Sequence, residues 1–304
     1  MLGLMLGGSL ALAVPAWNWS DTPVYFHAET QLTLLNGLSF ETFNNLDAKA
    51  NTLSLATEMG CTGTVDAGLR IVTCKLAWLK LTGTAKRRDE QEKLEKILAE
   101  WSTQMVNYQM VMEMGMDGKL QQLNLDNAPH DNQRESFVVE RQRLLLLRLL
   151  CLLDLPLPKD DKGWAMWKEK GWLPEFVLMN TTGTTGAMRL RNQGAAEPRN
   201  GYLFVSTEGE ATVSAGNDLD AGGTTLLNCT LGGNTLFDPQ AGMLAYRDFV
   251  MEGQYTASAG VSANIYYQQS ATIQRIDALG GAGALPPALK PGPLAAPVAA
   301  PPAP

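Results

Sequence analysis

The sequence predicts an α+β fold: two antiparallel β units, each a curved sheet, with two helices, the second buried at the centre. Runs rich in β-branched and aromatic residues, punctuated by Gly, Asn, Asp and Thr, lie on both sides of residue 159, which is the pattern of antiparallel strands. Near residue 90 the apolar period lengthens to that of a helix. A second helical stretch, from Asn132, is apolar nearly all round, with Arg134, Arg141 and Arg148 as a narrow polar stripe. Such a helix belongs inside a protein or a membrane.

Taken in order, residues 1–16 have the shape of a secretory signal without its positive n-region, an apolar run ending in Val14-Pro15-Ala16 before a cut at Trp17. An N-terminal α+β unit is expected over 17–158. Its strands are expected at 24–34, 53–59, 69–74 and 76–81, forming an antiparallel meander. Residues 89–105 form a helix, because Leu94, Ile97, Leu98, Trp101 and Met105 share one face while Glu92 and Lys96 pair on the other. A hairpin is expected over 106–126, with Asp117-Gly118 as its turn. The central helix starts at a capping box, Asn132 with Glu135, and stops at Pro156 and Pro158. Its uncharged run 149–153 is far shorter than the ~20 residues that span a bilayer, so no membrane span is expected in the mature chain.

A β-rich unit is expected over 159–277. Its strands are read at 176–179, 188–191, 202–206, 211–214, 224–229, 234–237, 243–252 and 265–276. From 278 to 304 the composition collapses to Gly, Ala and Pro, with half of the chain's 16 prolines, and a disordered extended tail follows from it.

A net charge of −7 excludes a broad phosphate-binding surface, so no nucleic-acid partner is expected. Among the four cysteines, Cys61 and Cys74 lie in one strand-turn-strand segment and form the expected disulfide of an exported protein. Cys151 is expected as a buried thiol, and the spacing fits no zinc site. The two histidines, His27 and His130, are expected in structural or surface roles. Nucleophile elbows and phosphate loops do not occur, and the segment 217–222 lacks the closing Glu of a calcium loop.

Two constellations carry chemistry. Met110, Met112 and Met114 alternate on one strand face, and soft thioethers select Cu(I); the same residues suit a core beneath Trp101 and Met105. Trp164, Trp167 and Trp172, interleaved with Lys168 and Lys170, suit a ligand or partner grip when exposed, or a plug at one end of the sheet when buried.

The layout of signal-like start, meander, helix, hairpin, core helix, second β unit and Pro/Ala tail resembles exported proteins of bacterial envelopes, which implies a periplasmic or secreted location. The expected function is non-enzymatic binding of an apolar small molecule or lipid, or of an envelope protein, through a cleft between sheet and helix, with no cofactor. One alternative is a secreted hydrolase with acidic catalytic groups, which would place two carboxylates about 5–10 Å apart in a cleft. The other is Cu(I) handling through the methionine strand.

Overall fold

The computed structural model of the chain describes residues 16–34, 50–129, 133–155, 157, 188–216, 224–257 and 263–280. In chain order the elements are β1 (Val24–Leu34), β2 (Thr52–Asp66), β3 (Leu69–Thr84), α1 (Arg88–Met105), β4 (Gln109–Gly115), β5 (Leu120–Asp126) and α2 (Gln133–Leu150) with a 3-10 turn (Cys151–Leu153). They continue with β6 (Met188–Arg199), β7 (Tyr202–Gly216), β8 (Thr224–Asp238), β9 (Met243–Ala257) and β10 (Ala263–Ile276). The strands of the described residues join one ten-stranded sheet in the order β5-β4-β3-β2-β1-β10-β9-β8-β7-β6, with neighbouring strands antiparallel throughout.

This corrects the expected α+β layout of two β units with two helices, because one large antiparallel sheet dominates the fold. Each half of the chain is a five-stranded meander, and the first and last strands pair from Tyr25↔Ile276 to Leu34↔Tyr267. Both strands present alternating apolar residues, so pairing them extends one buried face across the whole molecule. Strands expected as separate are also continuous: 69–74 with 76–81, 202–206 with 211–214, and 224–229 with 234–237. The polar and glycine residues between them read as turns but pair across the ladder, Thr207 with Gly233 and Glu208 with Gly232.

Alternation sets the inner face. Phe26, Ala28 and Leu32 of β1, Leu53 and Leu55 of β2, and Val72 and Cys74 of β3 point inward, with Met110, Met112 and Met114 of β4 continuing the layer. Residues such as Glu29, Lys75 and Lys80 point outward. A bulge at Ala77, opposite the Glu58–Met59 step of β2, resets the alternation of β3, which turns Val72, Cys74 and Leu76 inward before it and Leu81 after it. Inside, α2 lies against β1, β5 and β10. Strands β5 and β10 are five steps apart, about 24 Å in a flat sheet, while a helix is only about 10–12 Å across. The sheet therefore curls around α2. Helix α1 covers β3, where Leu94 and Leu98 pack on Gly83 and Ser102 accepts the Leu81 N–H at 3.1 Å.

The chain after α2 closes one end of the curl. Trp17 donates its indole N–H to the Leu155 carbonyl at 2.9 Å, and the Leu157 N–H reaches the Asp117 carbonyl at 2.7 Å. Arg247 of β9, 2% exposed, donates to the carbonyls of Leu152 and Asp154 at 3.1 and 2.8 Å, while Asp154 accepts the Leu120 N–H at 2.8 Å. Trp17 stacks on Trp19 with centroids 5.6 Å apart and meets Phe237 edge-on at 5.3 Å. Gly118 has φ +92°, and a Cβ there would lie 2.0 Å from the Trp17 indole nitrogen, so only glycine lets the β4–β5 turn cover this plug.

Candidate functional site

Antiparallel register brings side chains that are far apart in sequence into rows across the outer face. One row runs Thr272, Glu29, Ala56, Lys80 over β10, β1, β2 and β3; the next runs Ser270, Gln31, Ser54, Thr82. Small residues on β2 and β10 form a floor, and the longer Glu29, Gln31 and Lys80 rise as walls. Together they line a groove of about 360 Å³. Its walls are hydrogen-bonding groups, and Glu29 and Lys80 face each other across one intervening strand, about 9.5 Å apart at the backbone.

At one end of the groove the adjoining row supplies an aromatic group. His27, Glu58 and Trp78 are cross-strand neighbours, with the His27 and Trp78 rings 6.0 Å apart. His27 Nε2–H donates to Glu29 Oε1 at 3.0 Å. Glu58, 8% exposed, accepts the Gly280 N–H at 2.6 Å, which holds the chain after β10 beside this row.

Neither family models nor curated proteins match this chain.

Farther across the same face, Asp248 follows Thr272 in the row and lies about 9.5 Å from Glu29 at the backbone. This is the carboxylate pair that a hydrolase would need, yet Asp248 is only 5% exposed. Its oxygens accept from the Asn234 backbone N–H at 2.6 Å and from the Tyr246 hydroxyl at 3.1 Å. Burial raises the Asp248 pKa against the lowering effect of those bonds and of Arg247. Burial also raises that of Tyr246, assisted by the Asp248 charge and hydrogen bond. Both oxygens of Asp248 are thus committed to the sheet, beside the apolar patch of Tyr202, Phe204 and Leu236.

Of the residues singled out in the sequence, Cys61 and Cys74 form a disulfide as directly opposed partners on β2 and β3, with Cα atoms 4.1 Å apart. Met110, Met112 and Met114 share the inner face of β4 at 0% exposure, and Met110 sits opposite Cys74. Among the described residues no group of His, Cys, Asp and Glu is arranged to hold a metal ion. Trp164, Trp167 and Trp172 lie outside the described residues, as do residues 1–15, the strand expected at 176–179, His130, the loop 217–222 and the tail from 281. No helix of the described residues is long and apolar enough to cross a membrane.

The groove residues carried no signal in sequence beyond being the polar members of alternating strands. The β1–β2 and β2–β3 pairings bring Glu29, Gln31, Ser54 and Lys80 together, and the β1–β10 pairing adds Ser270 and Thr272.

Proposed function

We propose that this chain is an exported, non-enzymatic binding protein that holds a hydroxyl-rich ligand of the saccharide class in the groove over β10, β1, β2 and β3. The observation that carries this reading is the groove itself, about 360 Å³, within the usual range of about 300–1,000 Å³ for small-molecule sites. Hydroxyls of Ser54, Thr82, Ser270 and Thr272, the Gln31 amide and the charges of Glu29 and Lys80 offer donors and acceptors in two rows. Trp78, half-buried on the same face of β3, supplies a flat apolar surface two residues from Lys80.

An apolar ligand fits this groove poorly, since covering Glu29 and Lys80 without hydrogen bonds costs free energy. The layer between sheet and α2 is filled instead by Leu146, Leu149 and Leu150, each at 0% exposure. The buried disulfide is compatible with an extracytoplasmic location. A periplasmic or secreted setting, with saccharides of the cell envelope within reach, accords with the signal-like start.

A panel of immobilised oligosaccharides tests the proposal. Wild-type protein is expected to bind at least one saccharide saturably, and Glu29→Ala and Lys80→Ala each to weaken it at least tenfold with unchanged melting. Equal binding by all three proteins, or none by the wild type, contradicts it. The bound saccharide is expected back intact; release of new reducing ends would assign a hydrolase, with Glu29 beside the scissile bond.

A further inference from the structure

The inner face does not end at the tryptophan plug. Beyond Gly63 and Val72 the β2–β3 hairpin continues with Val65 directly opposite Arg70, and Arg70 is in turn opposite Met114 of β4. Arg70 Nη1 is buried and has no hydrogen-bond partner, and among the described residues no carboxylate pairs with this guanidinium. Its pKa is lowered by burial, with no neighbouring charge opposing that shift. Trp19 lies against Gly63, its Cβ 2.5 Å from where a Gly63 side chain would begin, and its buried indole N–H is likewise without a partner. Gly63 and Arg70 are diagonal neighbours on one face, about 7 Å apart at Cβ.

Two unsatisfied donors therefore lie at one end of the sheet, where a buried donor left unpaired costs about 1–3 kcal/mol. The same end carries two of the three large hydrophobic side chains exposed among the described residues, Val65 at 62% on the hairpin and Met116 at 44% in the β4–β5 turn. Asp66 at the hairpin tip is exposed and Asp117 accepts the Lys119 N–H, so neither supplies the missing anion.

We infer that Arg70 and Trp19 form a second site, separate from the outer groove, for the carboxylate of a fatty acid whose hydrocarbon lies over Val65 and Met116. A guanidinium fork matches the planar, singly charged carboxylate, and the indole N–H supplies a further donor. The apolar flanks call for a tail as well as a head, because exposed Val and Met beside a cation gain from being covered.

Calorimetric titration of the full chain with monomeric sodium dodecanoate tests this. One saturable site is expected, with dodecanol and acetate each binding at least tenfold more weakly, since one lacks the charge and the other the tail. Arg70→Gln should weaken dodecanoate binding at least tenfold. Val65→Glu places a carboxylate opposite Arg70 on an exposed hairpin, and should abolish binding while melting is unchanged or raised. That variant decides the matter if Arg70→Gln fails to fold. The inference is overturned if the wild type shows no saturable site, if dodecanol binds as well as dodecanoate, or if Val65→Glu binds within twofold of the wild type.

Discussion

Cys61 and Cys74 face each other because β2 and β3 pair across a short turn, and their bridge closes 13 residues of chain. Replacing both by alanine is expected to cost about 2–4 kcal/mol, mainly by freeing the unfolded chain; an unchanged denaturation midpoint would remove the disulfide from the account of stability. Gln269 points inward from β10 between Leu32 and Met251, 0% exposed, with neither end of its amide bonded. Gln269→Met conserves shape and removes an unsatisfied polar group, so a gain of about 1–3 kcal/mol is expected in denaturant unfolding. Asp238 behaves in the opposite sense. Burial would raise its pKa, but the Ala241 N–H, the Arg275 guanidinium at 2.8 Å and the Gln240 N–H together hold it below the usual aspartate value. The unfolded state then binds its proton first as pH falls, so Asp238 contributes stability above the ordinary value of about 3.9 and loses it as pH drops through the lower folded value. Asp238→Asn should lower stability at neutral pH and flatten that acid limb; parallel wild-type and variant curves would contradict the assignment. The disulfide was legible in sequence because both cysteines belong to one hairpin. Arg70 and Gln269 were not, since nothing local distinguishes an inward polar residue from an outward one until register is known.

Among elements, the ends of β1 and the body of α1 were legible because each has a clean period: β-branched and aromatic residues over Val24–Leu34, and a one-sided apolar stripe with Leu94, Leu98, Trp101 and Met105 buried. In sequence the long strands β7 and β8 look broken, because Glu208, Gly209, Gly232 and Gly233 have the composition of turns, yet a partner strand satisfies their backbone groups. The sequence offers Trp164, Trp167 and Trp172 as an exposed grip or as a plug, and they lie outside the described residues. Trp17 and Trp19, at the start of the expected mature chain, form a plug among the described residues, and its role depends on the contacts of Trp17 with Leu155 and Phe237 more than 100 residues away. Trp17→Ala is expected to cost about 3–5 kcal/mol, as for other large aromatics lost from a core. Leu149→Asp in α2 should prevent folding, because Leu149 is 0% exposed and an unpaired buried carboxylate costs several kcal/mol. Wild-type melting of either variant would show that these elements do not close the curl.

For the whole molecule, the pairing of β1 with β10 turns two meanders into one sheet, and no local signal could reveal it. A sheet with a single buried face specifies which residues face inward, but not which of its edges meet. That pairing adds Ser270 and Thr272 to the rows of β1, β2 and β3 and so completes the outer groove on which the proposed function rests. Hydrogen exchange of the backbone, with and without a saccharide that the protein binds, measures this directly. The account predicts slowed exchange confined to residues 29–31, 54–56, 80–82 and 270–272, four segments on adjacent strands of which the last joins the others through the β1–β10 junction. Slowing centred on α2, or on β6 and β7, with the groove strands unchanged, would contradict it.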